Sequence, residues 1–226
     1  MAAKEEDSPR VLLVGAGKMG GALIDAWLKQ QTVLPRDIVL IEPDVARAKH
    51  YRDTYSLYTF EDPEAVNTGI GRPIVLFAVK PQTMDEVAPM YRNLAEQGSL
   101  ILSIAAGRTT NYFEKILGTE SSIVRAMPNT PASIGKGMTV LYANNNVDGE
   151  QKKQCEVLMR AVGEVRWVEN EELMDAVTAV SGSGPAYVFL LIETLAEAGT
   201  EAGLDPMLAH DLALTTVAGA SALAEQ

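Results

Sequence analysis

A single cysteine, Cys155, stands in 226 residues, so no intrachain disulfide can form and a reducing compartment is the simpler setting. It lies in a stretch with helical character, residues 151–162, where a buried structural thiol is the expected role. Basic residues are outnumbered, 19 against 30 acidic ones, which leaves a net charge of −11. A surface of that sign repels nucleic acid and anionic membrane, so neither is an expected partner. Long apolar runs are also missing: the best candidate, residues 186–195, is shorter than the ~20 residues a span needs, and Glu197 and Glu201 follow it. The first ten residues are polar and acidic, with neither an apolar signal core nor an Arg-rich transit character. A cytoplasmic protein is expected. Histidine is reduced to two, His50 in a charged stretch and His210 near the end, and structural or solvated roles are expected for both. No metal site is expected.

What remains is an ordinary globular composition, 47% hydrophobic and 22% charged, long enough for one large or two modest domains. Short apolar runs near residues 10–14, 37–41, 73–79, 100–105 and 122–126 alternate with helical periodicity at 19–30, 44–53, 84–94 and 112–117. Such alternation means a mostly parallel sheet covered by helices on both faces. A strand at 138–142, a helix at 151–162 and a strand at 164–168 complete it. From residue 169 onward only helices are expected, at 171–180, 186–199 and 206–224, separated by Ser181-Gly182-Ser183-Gly184-Pro185 and by Gly203-Leu204-Asp205-Pro206. The fold class is therefore α/β: a Rossmann-type domain over residues 10–168, then an all-helical domain over residues 169–226. Within the latter, residues 187–192 are apolar nearly all round, which demands burial in a bundle or an interface.

Gly15-Ala16-Gly17-Lys18-Met19-Gly20 fits G-x-G-x-x-G, follows a strand, opens a helix, and precedes the acidic Glu42 at the end of the next strand. That context is what a dinucleotide site requires: a tight turn, close backbone approach to pyrophosphate, and helix packing on strand. Unpaired N–H groups and the helix dipole hold the negative charge. Glu42 either accepts both adenosine ribose hydroxyls, favouring NADH, or is a solvated charge. Arg47 and Lys49 are near enough in sequence to accept an extra phosphate, which leaves NADH and NADPH both open.

Four further stretches are specific: Ala78-Val79-Lys80-Pro81-Gln82, Met127-Pro128-Asn129-Thr130-Pro131, Ser181-Gly182-Ser183-Gly184-Pro185-Ala186-Tyr187, and Thr215-Thr216-Val217-Ala218-Gly219-Ala220-Ser221. With the glycine turn, and in this order, they resemble the pyrroline-5-carboxylate reductase family over nearly the whole chain. The resemblance implies a Rossmann-type domain, a helical domain through which subunits form a homodimer or larger homo-oligomer, NADH or NADPH as hydride donor, and 1-pyrroline-5-carboxylate as small-molecule substrate. By position, Gly15 to Gly20 hold the pyrophosphate, while Ala78, Val79, Lys80, Pro81, Ala105 and Ala106 line the nicotinamide-ribose side.

A cyclic imine is basic enough to be protonated near neutral pH, and the iminium accepts hydride without a strong general acid, so the absence of an obvious catalytic histidine is consistent. No catalytic side chain is named. For the ring nitrogen Glu171 is a candidate, with Glu172 beside it; both also suit an acidic helix start. Asn129 and Thr130 face the nicotinamide or shape a turn. Ser183 and Gly184 offer backbone N–H groups to substrate or form an interhelix turn. Lys80 is read as a cationic lid rather than a Schiff-base lysine. Two rivals stand against this reading. A two-domain reductase of hydroxy or keto acids needs a proton donor, yet residues 169–226 contain no lysine and only His210. A dinucleotide-binding subunit without turnover is the other, since fold does not fix function. Finally, the family implies a Thr-Ser-Pro-Gly-Gly-Thr-Thr-like segment past Gln226 that cradles the substrate carboxylate. The chain is thus expected to be truncated, to bind dinucleotide, to turn over poorly, and to self-associate.

Overall fold

The computed structural model describes residues 10–63 and 71–226. β1 (Val11–Val14) is buried along its whole length, the pattern of a strand covered on both faces. It leads into α1 (Lys18–Gln30), whose Leu23, Ile24 and Trp27 form the buried stripe. β2 (Ile38–Ile41), α2 (Val45–Tyr55) and β3 (Tyr58–Phe60) extend the sheet on one side of β1. β3 was not expected; at three residues with Tyr58 exposed it is too short to show a period. β4 (Ile74–Phe77) pairs with the other side of β1.

One helix was expected over residues 84–94. The chain instead forms α3 (Met84–Val87), a 3-10 turn at Ala88–Tyr91, and α4 (Arg92–Glu96). Pro89 explains the break, because its ring removes a backbone donor and crowds the preceding turn. β5 (Ile101–Ser103), α5 (Thr110–Leu117) and β6 (Ile123–Met127) follow. β7 (Gly137–Ala143) then runs antiparallel to β6, and α6 (Gly149–Arg160) crosses to β8 (Gly163–Trp167), parallel to β7. The eight strands lie in the order β3-β2-β1-β4-β5-β6-β7-β8, mostly parallel as expected.

Alternate residues of each strand serve opposite faces. Leu13, Leu40, Leu76 and Leu102 pack with α1 and with Leu158 and Met159 of α6. Val75, Phe77 and Ile101 pack with Met84, Tyr91, Phe113 and Leu117. The Trp27 indole N–H donates to the Leu158 carbonyl at 2.8 Å, so a fully buried ring keeps its polar atom satisfied. Cys155 is wholly buried and burial pushes its thiol up, the environment of a structural cysteine.

The chain divides into two compact units, the first ending at Thr178 and the second covering Ala179–Gln226. The division lies beyond the expected boundary after Val168 because α7 (Leu173–Val177) belongs with the sheet: Met174 is buried, and Glu171 is bound to Thr110 and Arg125.

The second unit consists mainly of α8 (Gly184–Glu201) and α9 (Pro206–Ala224). Gly203, at φ +100°, turns the chain between them, and the Asp205 carboxylate caps α9. Small residues bring the helices together, since a Cβ on Gly199 would stand 3.1 Å from the Ala209 Cβ. In this unit Ala209 and Ala213 are the buried apolar side chains, while Phe189, Leu190 and Leu191 are all more than half exposed. The Ser181–Pro185 break is softer than expected: a π-helical turn, Thr178–Gly182, carries helical structure through it. The run Leu173–Glu201, 29 residues, and Pro206–Ala224, 19 residues, are thereby long and apolar enough to cross a membrane by length and composition. This corrects the expectation that no segment approaches that length. Residues 186–195 alone are too short, but flanking small and polar residues extend the helix.

Candidate active site

Parallel strands place the carboxyl ends of β1, β2, β4, β5 and β6 along one edge, and the chain order reverses at β1, which opens a crevice there. Each glycine of the β1–α1 turn has a separate physical reason. Gly15 has φ +93°, and a Cβ on it would meet the Val79 side chain at 2.9 Å and the Ala78 carbonyl oxygen at 3.1 Å. Its N–H donates to the Ile41 carbonyl at 2.8 Å. Gly20 lets α1 sit on the turn, because a Cβ there would lie 2.2 Å from the Gly15 oxygen. Gly17 is different: its φ of −64° suits any residue, and a Cβ would meet no protein atom within 4 Å. Among the described residues nothing demands a glycine at 17. The start of α1 is similar, since no side chain caps it and no acidic residue stands in its first turn. By contrast α2, α5, α6 and α9 are capped by Asp44, Thr109, Asp148 and Asp205. A dipole end left uncapped beside a bare backbone fits a pyrophosphate. Lys18 is exposed and Met19 half-buried at this end, while Ala16 is buried.

Glu42 is not a solvated charge. Its Oε2 accepts the Ala16 N–H at 2.8 Å and its Oε1 the Asp44 N–H at 3.0 Å. Arg47 pairs with it at 3.1 Å, and the carboxylate side chain is 4% exposed. These contacts engage the carboxylate that is expected to accept the ribose hydroxyls.

On the other side of the crevice, Ala78 and Val79 are half-buried and Lys80 is exposed. The Lys80 carbonyl accepts from the Thr83 N–H and hydroxyl, which folds Pro81–Thr83 into a 3-10 turn. The Ala105 N–H donates to the Ser103 hydroxyl at 3.2 Å, leaving Ala106 exposed. Arg108, which the sequence did not single out, joins the two loops. Its Nε and Nη2 donate to the Pro81 carbonyl at 3.1 and 2.8 Å, and Nη2 also reaches Asp85 at 3.0 Å. The guanidinium lies 4.5 Å from the Tyr112 ring centroid, and the Tyr112 hydroxyl donates to Asp85 at 2.7 Å. Burial, then that bond, pushes Tyr112 up to about 12. The Tyr112 hydroxyl and then Arg108 hold Asp85 below its usual range. No motif spacing announces this cluster; only the fold brings residues 81, 85, 108 and 112 together.

Of the substrate candidates, Asn129 accepts the Met138 N–H at 2.9 Å, bracing the loop after β6, and exposed Thr130 opens the 3-10 turn Thr130–Ile134. Glu171 is occupied. It accepts the Thr110 N–H and hydroxyl, both at 2.7 Å, and pairs with Arg125 at 2.6 Å. Burial pushes this carboxyl up, but the Thr110 and Arg125 bonds outweigh it and hold it below the usual range. The geometry makes Glu171 a brace between α5 and β6, with both carboxylate oxygens already engaged. Ser183 and Gly184 belong to the second unit, where α8 starts without a side-chain cap and a Cβ on Gly184 would meet open space.

Two family models match this chain. Residues 171–226 match the pyrroline-5-carboxylate reductase dimerisation family, and residues 10–107 match one described as NADP oxidoreductase, coenzyme F420-dependent. The pyrroline-5-carboxylate reductase of Synechocystis sp. is 40% identical over 215 residues, covering 95% of this chain and 78% of that one. This chain belongs to the pyrroline-5-carboxylate reductase family. Among solved structures, a pyrroline-5-carboxylate reductase from Coxiella burnetii matches with TM-score 0.89 and 35% identity, over 96% of this chain and 80% of that one. The Plasmodium falciparum reductase, solved with NADP bound, matches with TM-score 0.82 and 28% identity, over 97% of this chain and 80% of that one. Against other pyrroline-5-carboxylate reductases, then, both units have counterparts.

Proposed function

We propose that this chain reduces 1-pyrroline-5-carboxylate to proline, the last step of proline formation, with NADH or NADPH as hydride donor. One observation carries the reading: named reductases of that substrate align over both units. The bare backbone at Gly17 supports the dinucleotide part of it. The reduced nicotinamide supplies the hydride when bound.

The protein's part is placement and exclusion of water, because a protonated imine needs no strong acid to accept hydride. Ala16, Gly17, Lys18, Met19 and Gly20 hold the pyrophosphate at the start of α1. Ala78, Val79, Lys80, Pro81, Ala105 and Ala106 bound the nicotinamide-ribose side, with Arg108 fixing Pro81 against the loop after β5. Asn129 and Thr130 shape the floor beside them; Ser183 and Gly184, at the uncapped start of α8, are the second unit's own candidates for binding substrate. Glu171 acts at one remove, through Thr110 and Arg125. The second unit forms a homodimer or larger homo-oligomer, its exposed Phe189, Leu190 and Leu191 covered by a second copy rather than by lipid, and the protein is cytoplasmic.

The test mixes the protein with pyrroline-5-carboxylate and reduced cofactor, follows cofactor absorbance, and identifies the product by chromatography. Cofactor oxidation that depends on the imine and yields proline is the expected result. Cofactor binding with no such turnover overturns the assignment in favour of a dinucleotide-binding subunit without catalysis.

A further inference from the structure

An acidic residue at the end of β2 is the usual sign of NADH selection, because its carboxylate meets the ribose hydroxyls and repels a phosphate. Glu42 stands at that position, but its carboxylate is already engaged. A carboxylate offers about four acceptor positions. Oε2 already takes the Ala16 N–H at 2.8 Å and an Arg47 N–H at 3.1 Å, and Oε1 takes the Asp44 N–H at 3.0 Å. What capacity is left lies in a side chain 4% exposed.

The same contacts deliver a cation in its place. The Arg47 side chain is 42% exposed, held at 3.1 Å by Glu42 and at 3.5 Å by Asp44. Two ion pairs leave part of a five-donor guanidinium for another anion. Its base is also fixed: the Asp44 side chain caps α2 through the Arg47 N–H, and Tyr51, one turn on, seats its hydroxyl where a Cβ on Gly21 would be 2.6 Å away. Arg47 lines a cleft of about 430 Å³ that also reaches Gly17 and Lys18. In a chain of net charge −11, this lining carries two permanent cations, Lys18 and Arg47, against one carboxylate, Asp25, which accepts the Tyr55 hydroxyl.

Resting on the reductase reading above, we propose that the adenosine end of this site selects a dinucleotide bearing a 2′-phosphate. Arg47 reads the phosphate, and Glu42 is a positioning residue that anchors Arg47 and the Ala16 turn. A guanidinium suits this task, since its fork matches phosphate oxygens and it is charged at any working pH.

Calorimetry on the full chain with NADP+, NAD+ and 2′,5′-ADP separates this from the alternatives without any turnover. NADP+ should bind at least tenfold more tightly than NAD+, and 2′,5′-ADP should compete with it. Arg47→Ala should weaken NADP+ at least tenfold while moving NAD+ less than threefold, and Arg47→Lys should restore part of the difference. Glu42→Gln should weaken NADP+ more than NAD+, because Arg47 loses an anchor while both dinucleotides lose the support of the Ala16 turn. NAD+ binding as tightly as NADP+ overturns the proposal, as does an Arg47→Ala loss shared equally by both. A Glu42→Gln variant that shifts preference toward NADP+ also overturns it, because it would mean that Glu42 faces the ribose. Selective NADP+ binding without imine reduction would sink the assigned reaction and leave this selectivity standing; unselective binding with normal turnover would do the reverse.

Discussion

Gly17→Ala separates the needs of the fold from those of the cofactor. At φ −64° and ψ −165° the residue is in extended backbone open to any side chain, and the added Cβ meets no protein atom within 4 Å. Such a substitution stabilises by about 0.4–1 kcal/mol, through the entropy of the unfolded chain. For a unit of this size that is a rise of roughly 1–4 °C in Tm. A phosphate oxygen hydrogen-bonded to backbone here would lie inside the space the methyl takes, so dinucleotide affinity should fall at least tenfold, about 1.4 kcal/mol; Gly17→Val should lose more. Gly20→Ala supplies the opposite pattern. Its Cβ would stand 2.2 Å from the Gly15 oxygen, backbone against α1, so the fold should lose about 1–3 kcal/mol. Thermal melts without ligand and calorimetry with NADPH read the two effects separately. A Gly17→Ala protein that melts no lower than wild type and keeps full affinity would refute the placement of the pyrophosphate.

Three further outcomes are expected. Glu171→Gln should destabilise the first unit by about 1–3 kcal/mol, as Arg125 loses its charged partner. Because the folded carboxyl titrates below its unfolded value near about 4.3, its contribution is complete above that pH and is lost as pH falls through the folded value. Wild-type Tm should therefore drop more steeply than that of Glu171→Gln on acidification, and parallel curves would count against the tie. Arg108→Ala should raise the dissociation constants of NADH and NADPH together, roughly three- to tenfold or about 0.7–1.4 kcal/mol, since it loosens Pro81 on a side both cofactors share; a loss confined to NADPH would contradict that geometry. Phe189→Glu, on an exposed face of α8, should shift the protein from dimer toward monomer by light scattering with β-sheet content unchanged, and an unmoved mass would place the interface elsewhere.

The elements legible in the sequence are those specified by neighbours in the chain. The β1–turn–α1 unit follows from an apolar run, three glycines and a 3.6-residue stripe, and α9 runs from Pro206 to Ala224 as its flanking Asp205 and its apolar run imply. Pro89 was legible too, but its effect was missed: apolar spacing across residues 84–94 suggested one helix where a proline permits only pieces.

What the sequence by itself determined is the sheet-then-helices order, the position of the glycine turn, and the family, because turn chemistry and periodicity act over a few residues. What only the tertiary structure decided is the work of the charged side chains. Glu42 and Ala16 are 26 residues apart, Arg125 and Glu171 are 46 apart, and Thr110 and Glu171 are 61 apart. A carboxylate reads the same in sequence whether it faces solvent, a ribose or a buried amide. The partners that settle its role arrive on other strands and helices, and they exist as partners only once the sheet has assembled.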